Sequence, residues 1–407
     1  MHVVYLDQYF KTPEMVGGTR GYEMMRRLVR RGRRVTAVTT DRSAGASPGW
    51  RVSDEDGIEV HWIGIPYSNT MPYRRRLQSF LRYAAASAHR AASIPGDVVL
   101  ATSTPLTIAL PAAWTRWRRG IPMVFEVRDL WPDVPVAIGA LRNPLAIRAA
   151  RALERFAYRR SARIVALSPG MGDGIVRAGY PRDRVTVIPN SSDVDLFRVP
   201  PEEGLEWRRR HPEVGDRPMV LYAGTLGRIN GVDWLAEVAK EAASIDPAVC
   251  FVVVGDGIAA PEVRQAAERL GVLGGNFILL PSMPKREMPA VLSAATICTS
   301  VVIDLEALWH NSANKVFDAL AAARPIAVNH RGWQAELIEA SGAGLVLPVG
   351  DVEAAARLLV ERVTDGGWVR DAGRAAGRLA DERFHRDLLA GQLDDVLRAA
   401  AGEGVGA

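Results

Sequence analysis

The chain has 407 residues, 48% apolar and 24% charged, a length that predicts two domains with a sizeable core in each. No apolar run is long enough to span a bilayer, and the short strand-like start Met1–Leu6 lacks the basic region of a secretory leader. The formal net charge of +5 is unevenly spread: residues 1–200 hold 30 Lys and Arg against 17 Asp and Glu, a surplus of 13, while the remainder holds 21 against 29. Such asymmetry points the N-terminal half at something anionic.

Both cysteines, Cys250 and Cys298, lie in apolar segments and read as buried, reduced thiols, which predicts a cytoplasmic protein. Taken in order, Val3–Leu6 is a buried strand, Gly17-Gly18 closes the loop after it, and Thr19–Arg31 has helical spacing. Val35–Thr39 is the next strand, so the chain opens with a strand–loop–helix–strand unit. Its glycines let backbone approach a ligand, but the spacing is not that of the dinucleotide fingerprint. Ile58–Ile63 is a further strand. Residues 72–92 form a basic amphipathic helix led by Arg74, Arg75 and Arg76, a pattern that fits either an anionic membrane surface or an ordinary surface helix.

Asp97–Ala101 and Pro122–Val127 are strands separated by the helix Ala109–Arg118. Open α/β sheets bind ligands outside the carboxyl ends of their strands, so Glu126, Arg128 and Asp129 at the end of Pro122–Val127 are functional candidates. The helix Ala146–Ser161, the strand Arg163–Leu167 ending at Ser168, and the strand Val185–Ile188 complete the first half. Asp193-Val194-Asp195 spells a metal-binding motif but reads as turn chemistry, and the seven histidines show no ligand spacing. Between about 195 and 217 the alternation stops, which predicts a linker. Pro218–Tyr222 restarts it, followed by a glycine-bearing loop with Gly224, Thr225 and Arg228. The helix Val232–Ala243, the strand Phe251–Val254 ending in Gly255-Asp256-Gly257, and the strands Phe277–Leu280 and Ile297–Ser300 continue it.

Next comes His310-Asn311-Ser312-Ala313-Asn314-Lys315, a polar run feeding the short helix Lys315–Ala322. A helix N-terminus presents free N–H groups and a partial positive charge, a seat for phosphate or sugar hydroxyls. Lys315 in the first turn is placed against the dipole, and an anion nearby would rationalise it. The strand Ile326–Val328, the strand Gly344–Leu347 and Ala- and Arg-rich helix from Val352 follow, and Gly402–Ala407 look frayed.

The order of these motifs resembles the GT-B glycosyltransferases of family 4, the retaining group 1 enzymes. The carrying residues are Gly17-Gly18, Val127-Arg128-Asp129-Leu130-Trp131-Pro132-Asp133, Ser168, Val187–Asn190, Tyr222–Leu226, Val253–Gly257 and the stretch 310–325. The resemblance implies an α/β fold of two Rossmann-like doubly wound domains facing across a cleft. Residues 1–200 would bind the acceptor, 201–380 the nucleotide-sugar, and 381–407 would form a C-terminal helix packing back toward the first domain. It also implies sugar transfer from a nucleotide-sugar donor, with UDP the expected nucleotide, to a lipid-linked or polysaccharide precursor, as in the branch that builds lipopolysaccharide and capsule. No metal or organic cofactor and no nucleic acid are implied.

By the same resemblance Asp318 would hold the ribose hydroxyls, and His310 stands where the family has an acid facing the donor sugar. Asn311, Ser312, Ala313 and Asn314 would offer backbone N–H groups to sugar and phosphate. Gly17, Gly18, Gly224, Thr225, Gly255 and Gly257 would border the donor, and Glu126 and Ser168 the acceptor. The family's cationic pair aligns with Thr225 and Asn230, so Arg228 and Lys315 would neutralise the leaving diphosphate. Arg128 replaces a family histidine and cannot act as a base; it would hold the donor sugar or an acceptor phosphate, and Asp129 and Glu126 would be the carboxylates nearest the reacting centre. Arg74–Arg76 would give peripheral contact with the inner face of the cell membrane. Rival readings are a soluble secondary-metabolite acceptor, a GT-B nucleotide-sugar 2-epimerase, a tandem dinucleotide oxidoreductase, and a non-catalytic partner subunit.

Overall fold

The structure, a computed structural model, describes residues 1–403 except 16, 44, 69, 70 and 192, and all their side chains except that of Tyr73. The tail expected to fray lies outside the described residues from 404 onward. Two sheets organise the chain. The first contains β1 (His2–Leu6), β2 (Arg34–Asp41), β3 (Trp50–Glu55), β4 (Ile58–Gly64), β5 (Val98–Thr102), β6 (Met123–Val127), β7 (Arg163–Ala166) and β8 (Val185–Val187). Its order is β3-β4-β2-β1-β5-β6-β7-β8, parallel throughout except for β3, which runs antiparallel to β4. The second contains β9 (Met219–Ala223), β10 (Cys250–Val254), β11 (Phe277–Leu280), β12 (Ile297–Ser300), β13 (Ile326–Val328) and β14 (Gly344–Val346). It is parallel, in the order β11-β10-β9-β12-β13-β14.

Parallel strands need crossover helices, which cover both faces and make the strands read as continuous apolar runs. Helices α1 (Arg20–Arg30), α2 (Tyr73–Ser93), α3 (Ala109–Arg119), α4 (Asp133–Ala137), α5 (Pro144–Arg160) and α6 (Pro169–Arg177) serve the first sheet. Helices α7 (Val194–Phe197) and α8 (Pro201–Arg209) occupy the stretch expected to be a bare linker. Pro201 opens α8, and Trp207 and Phe197 bury themselves in the second domain's core, so apolar anchors override the polar composition. The second sheet is covered by α9 (Asp233–Ile245), α10 (Ala260–Arg269), α11 (Met288–Ala294), α12 (Asn314–Ala321), α13 (Trp333–Ser341), α14 (Val352–Thr364) and α15 (Gly366–Leu379).

After a π turn at Ala380–Phe384, α16 (Arg386–Ala401) crosses to the first domain. Leu389, Leu393 and Leu397 pack there with Val3, Tyr5 and Leu28. Arg33 binds Asp394 bidentately, at 2.7 and 2.9 Å. Strand order reverses between β1 and β5 in the first sheet and between β9 and β12 in the second. These switch points open crevices at the carboxyl ends of the strands. The loops after β1, β5, β9 and β12 are therefore where a ligand would meet the protein.

Candidate active site

In the second domain, the loop after β9 nests against the loop after β10. A side chain at Gly255 would run into the Gly224 carbonyl, and one at Gly257 into the backbone of Leu226. These two glycines are there for close packing of loops, which is a different reason from the donor contact expected of them. Gly224 lies under Lys315: an added Cβ would stand 3.1 Å from Lys315 Cε. The Lys315 ammonium sits 4.9 Å from the centre of the Tyr222 ring, and the Tyr222 hydroxyl is anchored on the Thr225 carbonyl at 2.8 Å. Burial pushes the Lys315 ammonium down to about 8, with Asp318 one turn along α12 opposing the shift. Asp318 is half-buried there.

Helix α12 starts without a side-chain cap. The loop feeding it is less open than its sequence promises. The Asn311 N–H bonds the Leu308 carbonyl at 3.0 Å, the Ser312 N–H bonds Asn311 Oδ1 at 2.9 Å, and the Ala313 N–H reaches Gln334 Oε1 at 3.4 Å. The Asn311 carbonyl accepts from Trp333 Nε1 at 2.8 Å. The expectation that 311–313 offer N–H groups to a ligand is thus corrected: the loop spends them on its own shape, leaving the N–H groups of Asn314 and Lys315 in the first turn. Asn314 is exposed, and its side-chain amide lies 3.4 Å from where a Gly18 Cβ would be, so the glycine loop of the first domain faces the start of α12. Gly17 has the end of the Lys11 side chain packed on it and, at φ +120°, holds a backbone conformation that residues with side chains rarely adopt.

His310 and Ser312 belong to the seam between the domains. Ser168 caps α6 by accepting from the Met171 N–H at 3.1 Å and donates to the His310 carbonyl at 2.6 Å. The His310 ring occupies the space a side chain at Gly170 would need. Asn190 binds Ser312 twice: its N–H to Ser312 Oγ at 3.1 Å and its Nδ2 to the Ser312 carbonyl at 2.6 Å. Lys285 Nζ donates to Thr19 Oγ1 at 2.8 Å, and Arg386 donates to the Ser191 carbonyl at 2.6 Å. Ser168 and Ser312 therefore hold the domains together instead of contacting acceptor and donor.

The first domain's polar residues are largely paired with one another. Glu126 is 4% exposed, and both its oxygens are used: Oε1 accepts from Arg20 at 3.1 and 2.8 Å, and Oε2 from Thr102 at 2.9 Å. Arg20 also donates to the carbonyls of Pro189 and Ile188, at 2.7 and 3.0 Å. Burial alone would push the Glu126 carboxyl up; Arg20 and Arg128 outweigh it and hold it below the ordinary value. Glu126 is thus a structural anchor and not an acceptor contact. Asp193, read as turn chemistry, instead accepts from Arg26 at 3.1 Å and Arg27 at 2.9 Å within a buried charge cluster.

Asp7, at the carboxyl end of β1, escaped the sequence reading although a carboxylate there is the signal to look for. It accepts from the Tyr5 hydroxyl at 3.0 Å and the Tyr9 N–H at 2.8 Å, and Gly21 is needed to clear it. Burial raises its carboxyl, with Arg128 opposing. Arg128 is half-buried at the next strand end but one, and Asp129 beside it accepts from Thr104 at 3.1 Å. Around them stand Lys11, Arg42 after β2, and Arg76. The Arg42 guanidinium lies 5.3 Å from the Tyr9 ring centre and that of Arg76 5.7 Å from the Tyr67 ring centre, the two rings being 5.1 Å apart. Arg76 thus turns inward onto an aromatic patch, whereas Arg74 and Arg75 are exposed. Its assignment to a membrane face is corrected; the partner it finds, Tyr67, lies nine residues earlier on another strand's exit loop.

Arg228 is also misplaced for the expected role. Its side chain is 74% exposed and pairs with Glu262 of α10 at 3.5 Å, while Asn230 closes the loop by accepting from the Gly227 N–H at 3.2 Å. Thr225 is exposed at the loop tip. Beside it a groove of about 360 Å³ runs along Leu226, Asp256, Arg264, Leu279 and Pro281, at the carboxyl ends of β9, β10 and β11.

Two doubly wound domains, each bringing a glycine-bearing first loop to a shared crevice, define the GT-B class of sugar-transferring enzymes. Residues 17–191 match the glycosyl transferase 4-like domain family and residues 217–365 the glycosyl transferases group 1 family, and the chain belongs to these group 1 glycosyltransferases. It is 28% identical over 266 residues to the 2-deoxystreptamine N-acetyl-D-glucosaminyltransferase of Streptomyces fradiae, a match spanning 64% of this chain and 61% of the relative. It is 25% identical over 353 residues to a GDP-mannose-dependent alpha-mannosyltransferase of Mycobacterium tuberculosis, spanning 84% and 83%. Anabaena HepE in complex with UDP-glucose superposes with a TM-score of 0.74 at 18% identity, covering 98% of this chain and all of that one, a likeness of fold.

Proposed function

We propose that the chain transfers a sugar, with retention, from a UDP-sugar to a hydroxyl or phosphate of an anionic, lipid-linked glycan precursor. The observation that carries this reading is Lys315, an ammonium half-buried at the uncapped start of α12, opposite the Gly17-Gly18 loop. A donor diphosphate seated there would meet a cation and the N–H groups of Asn314 and Lys315. The nucleobase would lie in the groove along Leu226 and Leu279, and Asp318 would accept from the ribose hydroxyls. The preference for UDP draws support from HepE, solved with UDP-glucose; the mycobacterial relative, by its name GDP-mannose-dependent, makes GDP the comparison to run.

In the reaction the bond between the anomeric carbon and the diphosphate oxygen breaks, and negative charge builds on that oxygen. Lys315 and the α12 N-terminus stabilise it in the transition state. The acceptor oxygen attacks from the same face, and its proton passes to the departing diphosphate oxygen. No protein base is then required, which suits a site whose strand-end residue is Arg128. The ties across the seam, through Ser312, His310 and Thr19, hold the crevice narrow and limit competing hydrolysis by water.

The aminoglycoside-forming relatives favour a second reading, a soluble aminocyclitol acceptor. The acceptor side weighs against it: at the strand ends Lys11, Arg42, Arg76 and Arg128 outnumber the carboxylates Asp7 and Asp129, a balance that favours a phosphate over a polyamine.

The test begins with thermal stabilisation by UDP, GDP and NAD at matched concentration. UDP alone should shift the melting point; a shift with GDP alone changes the donor class, and one with NAD alone overturns the reading. A UDP-sugar panel offered with polyprenyl phosphate or 2-deoxystreptamine then decides the acceptor. The anomeric configuration of the product, read by NMR, decides retention. Donor incubated without acceptor tests the epimerase alternative.

A further inference from the structure

The reaction does not account for the surplus of 13 positive charges in residues 1–200. On the structure that charge is concentrated. Helices α2, α3 and α5 lie side by side over one face of the first sheet, opposite α1 and α16, with α3 touching both neighbours. Together they carry 13 arginines and a single carboxylate, Glu154. Glu154 is buried against the Tyr158 hydroxyl at 3.2 Å and does not screen the surface. Ten of the 13 arginines are exposed. Among the described residues, Arg151 is the one of them in an ion pair, with Asp133 at 2.9 Å.

The same helices expose apolar side chains in register. On α3, Leu110, Trp114 and Trp117 recur at helical spacing along the outer stripe, 40, 48 and 69% exposed. Leu77 and Leu81 do the same on α2, and Leu145 stands out at the start of α5. Single exposed apolar residues are ordinary, but aligned stripes on adjacent helices amid unpaired cations need a partner that takes both.

A protein interface would deplete charge at its centre. Single-stranded nucleic acid would need aromatic faces free to stack on bases, yet Trp114 and Trp117 pack on one another, 5.0 Å between ring centres. Indoles surrounded by arginine match the headgroup layer of a bilayer, where one part of the ring is apolar and the N–H is wet. The described residues include no helix long and apolar enough to cross a membrane.

We propose that the α2–α3–α5 face docks on an anionic lipid bilayer, with Trp114 and Trp117 entering the headgroup layer and the surrounding arginines meeting lipid phosphates. Contact is therefore centred on α3, with the exposed Arg74 and Arg75 on the neighbouring α2 and Arg76 turned onto Tyr67, and it holds whatever the donor and acceptor prove to be.

The experiment is co-sedimentation of the full chain with vesicles of phosphatidylcholine, alone or mixed with phosphatidylglycerol, over a salt series, with duplex DNA and single-stranded DNA as competitors. Binding should require phosphatidylglycerol and weaken with salt. W114S/W117S should lower it about tenfold and R118E/R119E about a hundredfold, given the contribution of each cation near an anionic surface. Both variants should keep the wild-type melting point and nucleotide shift, since α3 lies outside the crevice. Brominated lipid should quench wild-type fluorescence more than that of W114S/W117S. No binding to mixed vesicles, binding independent of the anionic lipid, or vesicle binding untouched by W114S/W117S would each overturn the proposal. So would displacement by DNA that persists in W114S/W117S, which would mark a nucleic-acid surface instead.

Discussion

The two walls of the crevice treat their polar residues in opposite ways. On the first domain's wall, Glu126 is taken by Arg20 and Thr102, Ser168 by the His310 carbonyl, and Asp193 by Arg26 and Arg27. On the second domain's wall, Lys315 meets the face of Tyr222, and α12 begins without a cap. A buried charge with hydrogen-bonded partners is a scaffold element, because removing either partner leaves the other stranded. A cation held against a ring at an uncapped helix start is instead ready to receive an anion. The first arrangement specifies where the loops stand; the second specifies what they hold.

Exchanging the roles of these groups tests the contrast. Lys315→Ala should cut turnover about a thousandfold, the scale of losing one preorganised donor to developing charge, with the melting point preserved; a large loss of stability with near-normal kcat would invert the assignment. Glu126→Ala should do the reverse, lowering unfolding free energy by roughly 3 kcal/mol in a denaturant titration, because Arg20 is left buried without its partner.

The two shifted groups give pH tests. Burial pushes the Glu154 carboxyl up to about 7, so the folded state holds a proton that the unfolded state has released between about 4.5 and 7. Stability should fall as pH rises through that window, and Glu154→Gln should stabilise by about 1–3 kcal/mol at pH 8 while changing little at pH 4. Lys315, at about 8, is largely neutral at pH 9, whereas a bound diphosphate would restore its charge. UDP binding at that pH should take up a proton, seen as a buffer-dependent calorimetric enthalpy, and affinity should weaken roughly tenfold or more between pH 7 and 9.5. Lys315→Met should abolish both effects. The smallest change is expected from Arg228→Ala, under about threefold in kcat/KM, since an exposed ion pair contributes little.

Much of the fold was legible in order along the chain. Parallel strands buried on both faces read as apolar runs, and the segments around β1, β2, β4 to β14 and their main helices follow from that pattern. The edge strand β3, Trp50–Glu55, escaped because its burial does not form a continuous run, and its antiparallel partner β4 supplies the pairing. Helices α7 and α8 escaped because their composition is that of a linker while two aromatic anchors dock them.

The sequence by itself determined the two doubly wound units, the loops at their strand ends and a lysine in the first turn of the helix after the polar run, because periodicity, glycine and proline positions are local properties; that this helix starts without a side-chain cap is a feature of the structure. Tertiary structure alone decided which of the marked residues remain available. Glu126 is occupied because Arg20 lies across the sheet from it, 106 positions away. Ser312 is occupied because Asn190 of the other domain reaches it. Arg76 turns inward because Tyr67 offers a ring, and Trp117 stays outside because α3 buries its opposite side. A polar side chain announces that it can bond; whether it bonds the protein or a ligand depends on partners distant in sequence, whose approach is set by packing of the whole.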